Sequence, residues 1–158
     1  MINIRSYQSS DCEAVTTLFF NTIHNVCKND YKEEVLFAWA PASPDLVAWN
    51  ARLSRLYTIL AFNQNTLVGF ASMDLRKNYL DHLFVHEKWQ RQGIATILCD
   101  QLESKASRPI VTQASITAKP FFEHRGYRVL HEQEVCCRGV FLKNFLMRNS
   151  YRLGYLRS

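Results

Sequence analysis

The spacing of apolar residues near the N-terminus predicts a strand followed by a helix. Residues 2–7, "INIRSY", alternate between apolar and polar as a half-buried strand does. Ser10 and Glu13 then have the spacing of a helix capping box. Helical intervals predict a buried stripe formed by Val15, Leu18, Phe19, Thr22, Ile23 and Val26. A second face of the same helix carries Phe20, His24 and Cys27. This helix is therefore either buried on two sides or lines a pocket.

The middle of the chain predicts two further helices and a hairpin. "YKEEVLFAWAP" is typical of a short helix, which Pro41 ends. Ser43 and Pro44 fit the N-cap and first-turn positions of another helix. The apolar stripe of that helix is Leu46, Trp49, Leu53 and Leu56. "LYTILAF" and "LVGFASMDL" then predict two strands, and the turn "NQNT" between them predicts that they pair as a hairpin.

The second half alternates strands with helices. "NYLDHLFVH" and "PIVTQA" predict strands on either side of the helix "GIATILCDQLESKA". The apolar side of this helix is Ile94, Ile97, Leu98 and Leu102. "TAKPFFEHRGY" predicts a short helix with Thr117 as its cap and Gly126 just past its end. "YRVLHEQEV" and "CCRGVFLKNFLMR" predict two closing strands. The pattern contains no internal repeat and no linker.

Length and composition indicate one folded domain. The 158 residues, 47% of them hydrophobic, are enough to bury one core. No apolar run approaches the roughly 20 residues of a membrane span, and "MINIRSYQSSD" lacks a secretory apolar stretch. The five cysteines are odd in number and form no C-x-x-C pair, which predicts free buried thiols and no metal site. We therefore expect a cytoplasmic protein that does not bind membranes.

The net charge of +5 leaves several partner classes open. A basic chain is compatible with nucleic acid, with an anionic cofactor, or with no specific partner. The basic residues are scattered, except for a tail that holds Arg148, Arg152 and Arg157. No nucleic-acid motif accompanies the tail. We therefore expect a domain over residues 1–147, a basic extension over 148–158, and no nucleic-acid partner.

The stretch "VHEKWQRQGIATIL" predicts a seat for an anion. A helix that begins near Gly93 leaves its first amide hydrogens without backbone partners, and these attract negative charge. Gly93 and Ala95 leave room for a ligand, Gln90 offers a hydrogen bond, and Lys88 and Arg91 add positive charge. This chemistry fits a pyrophosphate. The stretch is neither a P-loop nor a G-x-G-x-x-G loop.

The order of elements and two motifs resemble the GNAT superfamily of acyl-CoA-dependent N-acyltransferases. The first motif is an apolar strand followed by [RQ]-x-x-G-x-[GA] at a helix start, here "LFVHEKWQRQGIATIL". The second is an aromatic-rich short helix ending in G-[FY], here "TAKPFFEHRGYRV". The resemblance extends to about Met147. It implies an α+β fold in an α-β-α arrangement. The expected sheet is mixed, mostly antiparallel, of six to seven strands, flanked by helices and splayed in the middle.

The resemblance implies acetyl-CoA as co-substrate and assigns its contacts. The main chain at Phe84 and Val85 would pair with the pantetheine arm. The pyrophosphate seat would comprise Gln90 with the amides of Arg91, Gln92, Gly93, Ile94, Ala95 and Thr96. The thioester would lie in the gap between the strands "NYLDHLFV" and "PIVTQA". Ser115 falls near the expected position of the pantetheine or thiol.

One departure from the family concerns the leaving group. Many members have a tyrosine in F-Y-[ED]-[KR] that protonates the thiolate, whereas "FFEH" places Phe122 there. A phenyl ring cannot donate a proton, but it can pack on the thioester. A thiol of pKa near 8.5 is a tolerable leaving group without help. Ser115, Thr117 and Tyr79 remain as alternative donors or water holders.

The acceptor amine needs a base, because an alkylamine is mostly protonated at neutral pH. The strand before the phosphate loop offers Asp81 first and His82 second, with Tyr79 beside them. Strand alternation places Asp81 on one face with Tyr79, Leu83 and Val85, and His82 on the other face with Leu80 and Phe84. The alternative is a polar pair satisfied by backbone or by a neighbouring loop.

An aromatic wall is expected at the acceptor site, which the first two helices usually shape in this family. Its candidates are Phe20, His24, Tyr31, Trp39 and Trp49. The alternative is that most of these rings belong to the core. Arg138, placed on the last strand, would bind an acceptor carboxylate if it faces the cleft. No acidic cluster favours a polyamine or an aminoglycoside.

The main hypothesis is therefore an acyltransferase. It would move an acetyl group from acetyl-CoA to a primary amine of a small molecule or peptide, by direct attack in a ternary complex. The alternative is a non-catalytic acyl-CoA-binding or sensing domain, motivated by Phe122. A basic nucleic-acid-binding module is a third hypothesis, which requires salt-sensitive binding. The acceptor's identity and a homodimeric state stay open.

Overall fold

The computed structural model describes residues 1–107 and 109–150. These contain the strands β1 (Ile2–Ser6), β2 (Tyr57–Asn63), β3 (Thr66–Asp74), β4 (Tyr79–Val85), β5 (Val111–Ser115), β6 (Tyr127–Cys137) and β7 (Val140–Asn149). The helices are α1 (Cys12–Val26), α2 (Glu33–Trp39), α3 (Leu46–Arg55), α4 (Ile94–Ser104) and α5 (Lys119–His124). None of these helices is long and apolar enough to cross a bilayer.

The strands form one seven-stranded sheet in the order β1-β2-β3-β4-β5-β7-β6. All neighbours are antiparallel except β4 and β5, which run parallel. This parallel pairing covers only Tyr79 with Val111 and Leu80 with Thr112. Beyond Leu80 the two strands separate, although β4 continues to Val85. The predicted mixed, mostly antiparallel sheet with a splay in its middle is therefore confirmed.

Two apolar clusters cover the faces of the sheet. On one face, Leu98 and Leu102 of α4 are fully buried against β3 and β4. A side chain at Gly69 would meet Ile94 and Leu98 at 3.2 Å, so the glycine allows α4 to approach the sheet closely. On the other face lie α1 and α3, which bury Ile23 and Leu53. The apolar stripe predicted for α1 is buried from Val15 to Ile23. On α4, Ile97 was predicted to lie on the apolar side but is 39% exposed.

Several helix caps differ from the predictions. The N-cap of α3 is Asp45 and not Ser43, because the Asp45 carboxylate accepts the Ala48 amide at 3.1 Å. Thr117 does not cap α5; its hydroxyl donates to Asp30 at 2.6 Å. Near the N-terminus, Asp11 accepts the Gln8 amide, and Ser10 and Glu13 are not the capping pair. Short polar side chains compete for the same amides, so sequence spacing alone does not select among them.

The last hairpin turns later than predicted. Cys136 and Cys137 belong to β6, and Arg138 and Gly139 form the turn with φ of 48° and 80°. Arg138 is therefore not on the last strand. Cys136 is exposed, so the expectation of buried thiols holds only for the free cysteines Cys12, Cys27 and Cys99.

The C-terminal boundary also differs from the expected one. β7 extends to Asn149, two residues past the expected end of the domain at residue 147. The Asn149 side chain accepts a hydrogen bond from the Ile110 amide. Arg152 and Arg157 of the predicted basic extension lie outside the described residues.

A charged cluster ties α4 to the segment that leaves α5. Arg125 donates to Glu103 through two nitrogens at 2.9 Å and to Asp100 at 2.6 Å. The Tyr127 hydroxyl donates to Glu103 at 2.9 Å. The side chains of Arg125 and Glu103 are only 15% and 10% exposed. Removal of the guanidinium would take two charge-assisted hydrogen bonds away from a nearly buried carboxylate.

We predict that Arg125→Leu lowers the free energy of unfolding by about 3 kcal/mol, because the nearly buried carboxylate of Glu103 loses the two hydrogen bonds from the guanidinium. The matched control is Arg5→Leu, which breaks a bidentate pair with Asp11 in which Arg5 is 43% exposed. Such an exposed pair contributes less than about 1 kcal/mol. Chemical denaturation of both variants measures the difference. Equal losses in the two variants would contradict the role assigned to the cluster.

Candidate functional site

A cleft of about 780 Å³ opens where β4 and β5 separate. Its walls come from α1, α3, the residues around Pro41, both strands, the start of α5 and the β6–β7 turn. All three predicted catalytic residues, Tyr79, Asp81 and His82, line it. The splay thus brings together side chains that are distant in the sequence.

A β-bulge in β4 determines how these side chains point. Leu80 pairs with Met73 and His82 pairs with Ser72, so Asp81 is an extra residue without a partner on β3. The predicted alternation therefore fails at Leu80. Leu80 packs in the same cluster as Leu83 and Val85, while the His82 ring lies on the opposite face.

Asp81 is held by a residue that the sequence analysis missed. The Arg52 side chain from α3 donates to both carboxylate oxygens of Asp81 at 2.8 Å. The Asp81 side chain is 10% exposed and that of Arg52 is 52% exposed. The pair therefore spans from the wall of the cleft to solvent. Arg52 follows no local motif, so only the packing of α3 against the sheet identifies it.

His82 is a buried, neutral imidazole. Its Nδ1 lies 2.6 Å from the hydroxyl oxygen of Ser72, a second residue that the sequence analysis missed. Burial lowers the pKa of His82 to about 4, against smaller opposing effects of Asp81. Tyr79 also keeps its proton, because burial and then the charge of Asp81 raise the pKa of its phenol.

The cleft has an aromatic wall, whose members differ from those predicted for the acceptor site. Of the rings predicted for the acceptor site, Phe20, Trp39 and Trp49 line the cleft, together with Phe19 and Phe84. The Phe19 ring centroid lies 4.7 Å from that of Trp49 and 4.9 Å from that of Phe84. These edge-to-face contacts fix the orientation of the rings.

Two predicted acceptor residues do not line this cleft. The His24 ring donates to the Ala40 carbonyl at 2.8 Å and packs between Phe20 and Phe37. The buried Tyr31 hydroxyl donates to the Lys143 carbonyl at 2.6 Å and accepts the Ile116 amide at 2.9 Å. Burial raises the pKa of Tyr31 to about 12. Both residues therefore have structural contacts where an acceptor contact was expected.

Arg138 does line the cleft, although from the turn and not from the strand. Its guanidinium donates to the Ala38 carbonyl at 2.7 Å, which ties the turn to α2. One nitrogen of the Arg138 guanidinium, Nη1, is therefore already bound to a carbonyl of the protein itself.

The predicted phosphate loop has the backbone of an anion seat. Gly93 is the N-cap of α4 with φ of 82°, and no side chain caps the helix. A side chain at Gly93 would meet nothing within 4 Å, so the left-handed backbone, not crowding within the chain, requires glycine. Arg91 shares the left-handed region with φ of 60°. Gln90 donates to the Val85 carbonyl at 2.6 Å and so fixes the loop to the end of β4.

The free edge of β4 lies on the cleft side. The His86 amide donates to the Val68 carbonyl of β3. Phe84 lies two residues before His86 on the same strand, so its main-chain groups point in the same direction. The main-chain groups of Phe84 therefore point at β3, and those of Leu83 and Val85 point towards β5. Of the predicted pair Phe84 and Val85, only Val85 offers main-chain groups to the gap. Its carbonyl already accepts from Thr22 and Gln90, which leaves its amide.

Ser115 and Phe122 both line the cleft. The Ser115 hydroxyl accepts the Ala118 amide at 3.0 Å, so it supports the start of α5. Phe122 is 2% exposed and packs edge-on against Tyr127 with centroids 5.0 Å apart. Among the described residues, no group of three His, Cys, Asp or Glu side chains could hold a metal ion.

Comparison with known proteins agrees with this architecture. The chain is 34% identical over 147 residues to the uncharacterized N-acetyltransferase YafP of Escherichia coli K12, covering 93% of this chain and 95% of YafP. It is 33% identical to a solved GCN5-related N-acetyltransferase of Rhodopseudomonas palustris, with a TM-score of 0.90 and 94% of each chain covered. A Salmonella typhimurium protein, YncA, solved with its cofactor acetyl-CoA, shares the fold at 18% identity and a TM-score of 0.67, with 96% and 95% covered.

The sequence also matches a family model. The acetyltransferase (GNAT) domain model covers residues 27–148, which include the splayed strands, the bulge and the start of α4. The family-model match, the fold and the two sequence motifs agree with one another, and the family consists of acyltransferases. This chain belongs to the GNAT acetyltransferase family.

Proposed function

We propose that this protein transfers the acetyl group of acetyl-CoA to a primary amine of a small molecule or peptide, by direct attack in a ternary complex. The observation that carries the proposal is the opening between β4 and β5 directly beside the uncapped start of α4. One end of this opening suits a pyrophosphate and the other holds an aromatic cleft. Family membership supports acetyl-CoA as the co-substrate.

The chain's own groups fit acetyl-CoA at three points. The first-turn amides of α4 suit its phosphates. The main chain of Leu83 and the amide of Val85 face the gap, where an extended arm would add like a strand. When bound, the co-substrate supplies an acetyl thioester whose C–S bond breaks as the new C–N bond forms. Phe122, buried beside the cleft, supplies an apolar surface at the thioester end.

Asp81 is the proposed proton acceptor for the amine. Arg52 occupies two hydrogen-bonding sites of the carboxylate, and a carboxylate offers about four. Asp81 therefore keeps capacity to accept from an ammonium group in the cleft. His82 is the weaker candidate, because burial lowers its pKa to about 4 and a proton taken from the amine would leave a buried cation.

Two of the proton donors considered for the leaving thiolate, Tyr79 and Ser115, line the cleft. Phe122 supplies no proton, but Tyr79 lines the cleft and keeps its hydroxyl hydrogen at neutral pH. Unassisted departure is the alternative, since a thiol of pKa near 8.5 leaves readily. A non-catalytic acyl-CoA-binding domain remains the competing function. Release of free CoA in the presence of an amine and peptide panel separates the two.

The first prediction concerns the start of α4, where Thr96 is exposed in the first helical turn. Thr96→Glu places a carboxylate at the proposed pyrophosphate seat, and we expect acetyl-CoA affinity to fall at least about tenfold. The same charge favours the helix dipole, so stability should rise by roughly 0.3–1 kcal/mol. Thr96→Gln, similar in size but uncharged, is the matched control. Calorimetric titration with acetyl-CoA and thermal unfolding measure both effects. Equal acetyl-CoA affinity in the two variants would show that this loop does not bind the pyrophosphate.

The second prediction concerns Asp81. Asp81→Asn keeps the side-chain size but removes the proton acceptor, so turnover near neutral pH should fall at least about tenfold. Part of the loss should be recovered at higher pH, where more of the amine is already neutral. A pH–rate profile with the best amine of the panel measures this, and acetyl-CoA affinity should be unchanged.

Arg52→Gln is the control for Asp81, because it breaks the ion pair and keeps the carboxylate. If Asp81 accepts the proton, Arg52→Gln retains more activity than Asp81→Asn at every pH. Parallel profiles of wild type and Asp81→Asn with equal rates would exclude Asp81 from the mechanism.

A further inference from the structure

Ser72 and His82 form a buried hydrogen bond whose direction can be deduced. Ser72 lies on the central strand β3 and is fully buried. Within the part of the chain that the structure describes, the only partner of its hydroxyl is Nδ1 of His82, at 2.6 Å. A buried hydroxyl donates its single hydrogen wherever an acceptor is available. The Ser72 hydroxyl therefore donates, and Nδ1 of His82 accepts.

The ring hydrogen of His82 must then be on Nε2. A neutral imidazole carries one hydrogen, and Nδ1 cannot hold it while it accepts from Ser72. The ring is neutral because it is buried, with a pKa of about 4. Asp81 does not hold a hydrogen on Nδ1, because its nearest oxygen is 3.7 Å away and is bound to Arg52.

Nε2 has no hydrogen-bond partner among residues 1–107 and 109–150. His82 is 8% exposed and lines the cleft. Within those residues, the only fully buried side-chain nitrogen or oxygen without a partner is Oδ1 of Asn144. Nε2 therefore keeps some accessible surface, and its N–H can donate only into the cleft.

We infer that Ser72 is a positioning residue that fixes His82 as an Nε2–H donor, and that this donor binds an oxygen or nitrogen of the amine acceptor. The inference rests on the proposed function. Because the ring lies on the face of the sheet with α1 and α3, it meets the acceptor side of the cleft and not the β4–β5 gap.

The rings around His82 specify the rest of the ligand. The Trp49 ring lies 5.3 Å from His82, and Phe19 and Phe84 lie 6.5 and 6.3 Å away. The donor is thus set in a flat apolar wall. The matching acceptor is an amine with a flat apolar body and an uncharged hydrogen-bond-accepting group. An amine without that group would leave a buried donor unpaired and bind roughly tenfold more weakly.

The first experiment requires no amine substrate. Nitrogen-15 NMR of histidine-labelled protein should show His82 with its hydrogen on Nε2, and no titration of the ring from pH 8 to about 5. In Ser72→Ala, Nδ1 loses its donor, and the other tautomer or the charged ring should become detectable. Ser72→Cys, close in size with a weaker donor, should be intermediate. A hydrogen on Nδ1 in the wild type, or an unchanged ring in Ser72→Ala, would overturn the inference.

The second experiment uses kinetics and separates positioning from chemistry. The panel includes benzylamine and 4-picolylamine, which differ in one ring nitrogen that accepts a hydrogen bond. Wild type should favour 4-picolylamine in kcat/KM by about tenfold, and His82→Phe should lose the preference while His82→Gln keeps part of it.

For the best amine, Ser72→Ala should raise KM about tenfold with kcat and the KM for acetyl-CoA little changed. A fall in kcat at constant KM would contradict acceptor binding by His82. A panel in which nothing is acetylated would count against the proposed function, while the NMR result still decides the role of Ser72.

Discussion

One extra residue in β4 is the constraint on which the rest of the site depends. Asp81 has no partner on β3, and the residues beside it therefore face opposite sides of the sheet. Leu80 enters the apolar cluster beneath α4, and His82 enters the aromatic wall under α1 and α3. Pairing with β5 ends at the same point, after Leu80. A single bulge thus sets the direction of the Asp81 and His82 side chains, and it lies where the cleft begins to open.

The charged side chains Asp81, Asp45 and Arg138 of the cleft already have partners within the protein. Asp81 is bound by Arg52, Asp45 caps α3, and one nitrogen of Arg138 is engaged by the Ala38 carbonyl. The remaining surface combines aromatic and aliphatic side chains with uncharged polar ones, and the imidazole of His82 within it is uncharged. Such a surface recognises shape and a few hydrogen bonds more than it recognises net charge. This agrees with the lack of an acidic cluster that would attract a polycation.

The opposite wall of the splay is held by a residue expected to bind substrate. Tyr31 follows α1, and its hydroxyl bridges the end of β5 to β7 by accepting from Ile116 and donating to Lys143. Buried and protonated, it serves as a cross-link. On the other strand, Gln90 and Thr22 both donate to the Val85 carbonyl. The two strand ends are therefore fixed separately, and the gap between them does not depend on a ligand for its shape.

The sequence by itself determined the element order, the helix faces and the start of α4. These rest on local signals: apolar spacing predicts the buried face of α1, and glycine at position 93 permits the left-handed backbone that begins α4. The caps were missed at Asp11 and Asp45 because neighbouring polar residues compete at similar spacing. Only the tertiary structure decided the bulge at Asp81, the Arg52 pair and the Ser72–His82 bond. Each joins residues from different elements, and a shift of one residue in strand register would separate them, so no local pattern in the chain encodes them.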